Sequence, residues 1–210
     1  MNTKYFNFNN LNLEDCANEL KSGGIGIFPT DTVYGIGCDC LNINSINNLY
    51  NIKKRNFSKP ICILVSNIHM VKKLVTTINP IEQKLMNVFW PGDLTIIFNK
   101  SKIVPDLLTS NLDTVGIRMP NNKICLELIN KLNHPIATSS ANISDEKPAL
   151  LIDDKLINTF NNKVNFIIDN GIIENGVPST IVRVENNEIK ILREGSISLI
   201  QIMEVLKDVR

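Results

Sequence analysis

The chain has little of what would place it in a specialised class of protein. Its 210 residues contain no apolar run near the roughly 20 residues that cross a bilayer. No basic start followed by an apolar run opens the sequence, so no secretory signal is predicted. Five cysteines form no paired framework, which favours reduced thiols. A formal net charge of +1 gives no overall field for nucleic acid or membranes. We therefore expect a cytoplasmic protein without membrane contact or stable binding of nucleic acid.

The usual equipment of side-chain catalysis is also scarce. The two histidines, His69 and His134, lack the spacing of metal ligands or of a triad. No Gly-x-x-x-x-Gly-Lys-Ser/Thr loop is present, and residues 35–37 (GIG) lack the third glycine of a dinucleotide fingerprint. Residues 38–40 (CDC) have no second cysteine pair or nearby histidine, so metal binding there is weakly supported. With so little general-base equipment, we expect the nucleophile to come from a substrate.

What is present fits one globular domain of α/β class, spanning residues 1–210. A hydrophobic content of 43% with 20% charged residues is typical of a packed chain of this length. Strand-like and helix-like segments alternate along the sequence, which predicts a mixed sheet. The predicted strands are 25–28, 60–65, 94–98, 115–117, 135–138, 164–168, 180–184 and 189–192. The predicted helices are 15–21, 45–55, 79–90, 124–132 and 198–206. Ser198 with Gln201 predicts a capping box at the last of these, and residues 186–187 (NN) predict a hairpin turn between the last two strands.

Polar residues directly follow several predicted strands. Residues 30–32 (TDT) and 139–142 (SSAN) each follow a short apolar strand, while Arg118 and Arg193 each close one. Open α/β sheets place ligands at the ends of strands. A single such string would be an ordinary turn, but four together predict one polar cleft.

A basic cluster lies at residues 53–55 (KKR), followed by Lys59. These charges could simply stabilise the end of a helix. They could equally hold a polyphosphate, because lysine supplies a point charge and arginine a planar fork. Ser140 and Asn142 likewise have two possible roles: they could contact a ligand, or they could cap a helix or turn, as serine and asparagine often do.

Six strings in order resemble the YrdC/YciO-like family over nearly the whole chain. They are 29–35 (PTDTVYG), Lys53-x-Arg55, 90–95 (WPGDLT), 115–120 (VGIRMP), 140–142 (SAN) and 178–182 (PSTIV). The resemblance implies a single YrdC-like domain of α/β class. In that family a twisted mixed sheet, flanked by helices, surrounds a large positively charged cavity.

The resemblance also implies an activity. Within the family, Lys-x-Arg together with Ser-x-Asn marks the short-form threonylcarbamoyl-AMP synthases. These make threonylcarbamoyl-AMP and pyrophosphate from L-threonine, bicarbonate and ATP, with Mg²⁺ expected on the ATP. The product passes to a tRNA threonylcarbamoyl transferase, for the N6-threonylcarbamoyladenosine modification of tRNA. Two alternatives stay open at this point: an RNA-binding module that uses the same cavity, and a family paralogue of unassigned activity.

The same resemblance assigns site residues by motif position. It implies that Lys53, Arg55, Ser140 and Asn142 are catalytic. For threonine it implies Thr30, Arg118, Thr138 and Ser179, with Arg118 pairing the carboxylate. No metal ligand is expected from the protein. The residues implied for ATP are Lys53, Arg55, Lys59, Thr114, Ser140, Asn142 and Arg193.

Overall fold

The computed structural model describes residues 2–207 and contains one ten-stranded mixed sheet flanked by helices. The α/β class with a mixed sheet is confirmed. The strands are β1 (Lys4–Phe6), β2 (Gly26–Phe28), β3 (Gly35–Asp39), β4 (Cys62–Leu64), β5 (Leu94–Asn99), β6 (Thr114–Arg118), β7 (Ile136–Ser140), β8 (Phe166–Ile168), β9 (Thr180–Glu185) and β10 (Glu188–Arg193). The helices are α1 (Leu13–Lys21), α2 (Ile43–Ile52), α3 (Ile68–Leu74), α4 (Pro80–Phe89), α5 (Lys123–Leu132), α6 (Asp154–Phe160) and α7 (Leu199–Val205).

The sheet runs in the order β1-β8-β2-β3-β7-β4-β6-β5-β9-β10. β4 lies at its centre, antiparallel to β7 and parallel to β6. On the other side of β6, β5 is antiparallel to it, and β9 then runs parallel to β5. Neighbouring strands therefore point in both directions, which decides how polar residues from different strands can meet.

Local sequence signals account for most of the helix boundaries. Asn79 accepts a hydrogen bond from the backbone of Glu82, and the Glu82 side chain accepts from the backbone of Asn79, so α4 begins with a full capping box. The predicted capping box of Ser198 and Gln201 is confirmed at the start of α7. The predicted hairpin turn at Asn186 and Asn187 is confirmed, since both residues have positive φ.

The prediction for the second helix ran too far. It placed a helix over 45–55, whereas α2 ends at Ile52. Lys54 has a φ of 51°. The N–H of Lys54 donates to the carbonyl of Asn51, and the N–H of Arg55 donates to the carbonyl of Tyr50. This is the hydrogen-bond pattern of a Schellman ending, with lysine in the left-handed position that glycine usually takes. Lys53 and Arg55 therefore leave the helix end in different directions.

Four short elements were missed by the sequence prediction, namely β1, β3, α3 and α6. β3 was read as a glycine motif followed by a cysteine motif, yet it is a fully buried strand. In this strand Gly37 lies against the carbonyl of Ala137, where a Cβ would come within 2.5 Å of that oxygen. The glycine is thus needed for the close approach of β3 to β7, and no ligand is required to explain it.

Candidate active site

A cavity of about 300 Å³ lies across one face of the sheet. The register explains why its walls come from so many strands. Cys62 of β4 pairs with Thr138 of β7, and Leu64 pairs with Arg118 of β6. Further along, Ile181 of β9 pairs with both Thr95 of β5 and Arg193 of β10. The polar residues that line the cavity are Thr30, Thr32, Arg55, Cys62, Thr95, Arg118, Thr138, Ser139, Ser140, Ser179 and Arg193.

The predicted clustering of polar residues is confirmed, but its geometric reason was wrong. A cleft at the ends of strands requires those ends to point the same way. In this sheet β6 and β7 run in opposite directions, so Arg118 is level with the start of β7 and not with Ser140 at its end. The residues meet because they share a face of the sheet, where side chains alternate along each strand.

All four residues implied for threonine line this cavity. Thr30 is fixed by its own turn, since its Oγ1 donates to the carbonyl of Val33 at 2.6 Å. The hydroxyl of Thr138 donates to the carbonyl of Ile36 at 3.2 Å, and the hydroxyl of Ser179 lies 2.8 Å from that of Thr95. Each of these residues is at most 8% exposed. The result is a buried patch of hydroxyl groups around Arg118.

Arg118 is held by the protein on nearly every side. Its Nε donates to the carbonyl of Gly92 at 2.9 Å and its Nη1 to the hydroxyl of Thr32 at 2.9 Å. Its Nη2 bonds both to Asp31 and, at 3.3 Å, to Asp93. A guanidinium has five N–H groups, so one N–H, on Nη1, is left for a ligand. Two nearby carboxylates also balance its charge.

Arg55 and Arg193 are bound in a different way. Arg55 donates to the carbonyls of Lys59 and Pro60, at 3.0 and 2.8 Å. Arg193 donates from two nitrogens to the carbonyl of Ser179, at 3.1 and 2.8 Å. Within residues 2–207 neither guanidinium forms an ion pair. Both therefore bring uncompensated positive charge to the cavity wall, which suits an anionic ligand.

Lys53 is not among the residues that line the cavity, and its implied contact with ATP stays a prediction. It is 1% exposed, and its Nζ donates to the carbonyls of Ser140 and Asn142, at 2.5 and 2.6 Å. Burial, with a smaller effect of Arg55, lowers the pKa of Lys53 to about 7. Lys53 supports the turn that presents Ser140, which does line the cavity.

Asn142, Lys59 and Thr114 also lie outside the cavity wall. The Asn142 side chain donates to the carbonyls of Ile143 and Glu146, so it shapes its own turn. Lys59 pairs with Asp145 at 2.8 Å on the surface. Thr114 lies four residues before Arg118 on β6, about 13 Å away at the usual rise of a strand. Of the seven residues implied for ATP, the cavity brings together Arg55, Ser140 and Arg193.

Several lining residues were given no role by the sequence reasoning. Thr32 and Thr95 stand inside strings that were recognised, 29–35 and 90–95, and period-2 alternation along β5 could have placed Thr95 on the cavity face. Asp31 and Asp93 stand in the same strings, but their contact with Arg118 joins positions far apart in sequence. Cys62 carried no sequence signal, and burial raises the pKa of its thiol to about 11.

The weak metal reading at residues 38–40 is not supported. Cys38 and Cys40 are fully buried free thiols whose pKa values burial raises, and Asp39 accepts a contact from His134 at 2.8 Å. In the described residues no three His, Cys, Asp or Glu side chains are grouped as metal ligands would be. Over the same part of the chain, no helix is long and apolar enough to cross a membrane.

A family model described as "Telomere recombination", that of the Sua5/YciO/YrdC proteins, matches residues 18–195. The chain belongs to the Sua5/YciO/YrdC family. It is 35% identical over 194 residues to the threonylcarbamoyl-AMP synthase of Pyrococcus abyssi, a match covering 92% of this chain and 57% of that protein. A relative from Methanocaldococcus jannaschii, which bears the same name with a qualifier, is 36% identical over 89% of this chain and 87% of its own length.

The fold matches a solved member of the family. The structure of Pyrococcus abyssi Sua5 complexed with L-threonine superimposes with a TM-score of 0.92 at 31% identity, over 99% of this chain and 61% of that one. This chain thus spans little more than half the length of the Pyrococcus abyssi protein. The fold and family implied by the six sequence strings are therefore confirmed.

Proposed function

We propose that this protein is a threonylcarbamoyl-AMP synthase, which makes threonylcarbamoyl-AMP and pyrophosphate from L-threonine, bicarbonate and ATP. One observation carries the proposal. A single cavity combines buried hydroxyl groups around Arg118 with two arginines, Arg55 and Arg193, that form no ion pair in the described chain. The first part suits a small polar amino acid, and the second suits a polyphosphate. The names of the relatives, and the L-threonine bound by one of them, support the same activity.

The proposed reaction needs little from side chains except position and charge. The threonine amine and bicarbonate form an N-carboxy anion with loss of water. An oxygen of the new N-carboxy group attacks the α-phosphorus of ATP. The bond between that phosphorus and the bridging oxygen of pyrophosphate breaks, and pyrophosphate leaves. Arg55 and Arg193 would stabilise the anionic phosphates, since a charge-assisted hydrogen bond is about twice as strong as a neutral one. The hydroxyl of Ser140 would donate to a phosphate oxygen from the adjacent wall.

The threonine end of the cavity would select its substrate by hydrogen bonding. Thr30, Thr138 and Ser179 supply hydroxyl groups, and the free N–H of Arg118 would bind the carboxylate. Arg118 has one unused N–H. A bidentate contact with the threonine carboxylate would therefore require Asp31 or Asp93 to move away from the guanidinium. A site built to satisfy a substrate hydroxyl leaves its own buried groups unpaired when that hydroxyl is missing, at a cost of about 1–3 kcal/mol.

Mg²⁺ would enter with ATP, coordinated by phosphate oxygens and water. Asp31 and Asp93, the two carboxylates beside Arg118, are both engaged with it. Magnesium commonly keeps several waters and binds proteins through few carboxylates. The product would pass to a tRNA threonylcarbamoyl transferase. Direct, stable binding of RNA by this protein is not expected, given its net charge of +1.

The deciding experiment measures pyrophosphate release by the purified protein with ATP, Mg²⁺, bicarbonate and L-threonine. Threonine-dependent release is expected, together with an adenylate of the mass of threonylcarbamoyl-AMP. Serine should be a poor substitute and valine poorer still. Equal release with threonine and valine would refute the threonine assignment. Release without an adenylate product would refute the synthase activity.

A further inference from the structure

Asp93 lies at a junction beside the cavity. It immediately precedes β5, and its side chain is 20% exposed. One carboxylate oxygen, Oδ1, is 3.3 Å from Nη2 of Arg118. The other, Oδ2, accepts from Nδ2 of Asn175 and from Oγ of Ser196, both at 2.8 Å. One carboxylate thus touches three separate parts of the chain.

The Asn175 contact holds the connection between β8 and β9. This segment, residues 169–179, is largely exposed and has no helix or strand. Gly171 and Gly176 within it have φ values of 76° and 63°, which glycine adopts without strain. It ends at Ser179, a residue of the threonine end of the cavity. The Tyr34 hydroxyl holds the start of the segment, at Asn170 and Gly171, and Asn175 ties its later part to Asp93, just before β5.

The Ser196 contact holds the turn that follows β10. That turn comes three residues after Arg193, which lines the cavity. Thr180 fixes the same turn from the other side, since its Oγ1 accepts from the backbone of Gly195 and Ile197 at 3.0 Å. The backbone of Thr180 in turn donates to the carbonyl of Asp93 at 3.0 Å. Asp93 therefore supports the wall that carries Arg193 as well as the wall that carries Ser179.

We infer that Asp93 is a positioning residue that ties the segments bearing Ser179 and Arg193 to the Arg118 side of the cavity. The inference rests on the proposed function, because Ser179 is assigned there to threonine and Arg193 to ATP. Arg118 itself does not depend on Asp93, since Asp31, Thr32 and Gly92 still hold it. Asp93 instead sets the distance between Arg118 and the two segments that carry Ser179 and Arg193.

Three single variants separate the two ties. Asn175→Ala removes one and should raise the KM for threonine more than the KM for ATP. Ser196→Ala removes the other and should raise the KM for ATP more than the KM for threonine, although the bonds from Arg193 to Ser179 link the two walls. Each effect should be about 2- to 10-fold, the value of one hydrogen bond. Asp93→Ala should raise both KM values. Adding Asn175→Ala to Asp93→Ala should raise the threonine KM no further, because the tie is already lost.

A conservative variant and a control complete the kinetic test. Asp93→Asn keeps one oxygen that can accept from Asn175 and Ser196, but its NH2 group faces Nη2 of Arg118, so it should recover both KM values only in part. Asp106→Ala removes an exposed carboxylate paired with Lys100 and should change neither KM. The inference is overturned if Asp93→Asn is as impaired as Asp93→Ala, since the charge on Arg118 would then be what matters. It is also overturned if Asn175→Ala and Ser196→Ala change neither KM.

Amide hydrogen exchange tests the tie without using catalysis. The N–H of Ile173 donates to the carbonyl of Leu150 at 2.8 Å. Its exchange should be faster in Asp93→Ala and Asn175→Ala than in wild type, with Asp93→Asn closer to wild type. Unchanged exchange in both alanine variants would overturn the inference. If the wild-type protein made no adenylate while the exchange pattern was as expected, the proposed function would fail and the tie would stand.

Discussion

The arginines of the cavity fall into two kinds. Arg118 is surrounded by two carboxylates, a hydroxyl and a carbonyl, and its side chain is 7% exposed. Arg55 and Arg193 donate to backbone carbonyls and, in the described part of the chain, meet no carboxylate. The charge of Arg118 is thus balanced by carboxylates, whereas the charges of Arg55 and Arg193 are available to a ligand in the cavity.

This difference separates geometry from charge. A buried arginine with paired carboxylates adds little net field, but it is rigid and offers a directed N–H to a small ligand. An arginine bonded to neutral carbonyls keeps its full charge, which is worth most where several phosphate groups must be brought together. The comparison therefore predicts that Arg118 matters for structure and for threonine, and that Arg55 matters for the phosphate chemistry.

The largest effect is expected for Arg118→Ala. Removing one partner of a buried ion pair leaves the other charge uncompensated, here Asp31, and should lower the free energy of unfolding by about 3–5 kcal/mol. In the folded fraction the KM for threonine should rise much more than the KM for ATP. Denaturant unfolding and steady-state kinetics measure the two effects. The double variant Arg118→Ala/Asp31→Asn should recover part of the lost stability. If Arg118→Ala has the same KM for threonine as wild type, Arg118 does not bind threonine.

The next effect concerns Lys53, the buried lysine behind the cavity wall. Lys53→Met leaves the carbonyls of Ser140 and Asn142 without a donor, which should cost about 2–4 kcal/mol of stability at pH 7. The pKa of Lys53 is about 7 in the folded protein and 10.5 for an ordinary lysine. Between those values the unfolded chain binds more protons, so this group makes the wild-type protein more stable as pH rises.

The pH dependence of this contribution can be isolated by comparing variants. The stability difference between wild type and Lys53→Met should grow from pH 7 towards pH 9, as measured by denaturant unfolding. Lys54→Met changes the adjacent, exposed lysine and should follow the wild-type pH dependence. A difference that stays constant from pH 7 to pH 9 would mean that Lys53 remains charged in its buried position.

Arg55→Ala should affect catalysis more than stability. The lost contact strengthens as negative charge moves toward pyrophosphate, so kcat should fall about 10- to 100-fold at saturating ATP and threonine. Stability should change little, because its acceptors, the carbonyls of Lys59 and Pro60, belong to exposed residues that water can reach. Single-turnover kinetics with saturating substrates measure the first effect. A normal kcat with a raised ATP KM would show that Arg55 contributes to binding alone.

The fold could be predicted largely from local signals. Asn79, Ser198 and the asparagine pair at 186–187 placed two helix starts and one hairpin correctly, because capping and turn geometry depend on a few neighbouring residues. β3 was missed because the run GIGCD, packed on both faces, has no alternation. The end of α2 was missed because lysine at a left-handed position carries no sequence signal.

The site could be predicted less completely than the fold. Motif position singled out Thr30, Thr138 and Ser179, which line the cavity, and their assignment to threonine stays a prediction. It could not show that Lys53 turns inward, since that depends on the backbone at Lys54 and on two carbonyl groups about 90 residues away. Long-range contacts of this kind join motifs to each other, and a single sequence does not record them.

The smallest effect is expected for Lys59, the exposed counterpart of the buried Lys53. Its pair with Asp145 lies in solvent, with the two side chains 46% and 79% exposed, so Lys59→Ala should change the free energy of unfolding by less than about 1 kcal/mol. If ATP draws Lys59 away from Asp145, as its assignment to the nucleotide requires, Lys59→Ala should raise the KM for ATP a few-fold.

Asp145→Ala then provides a test of sign. Removing this carboxylate frees Lys59 and takes a negative charge away from the phosphate site, so the KM for ATP should fall. The effect should diminish as salt is added, because exposed charges are screened over about 10 Å at 0.1 M ionic strength. Titrations of ATP at low and high salt, with wild type and both variants, measure it. If the two variants shift the ATP KM in the same direction, Lys59 does not act on the nucleotide through its charge.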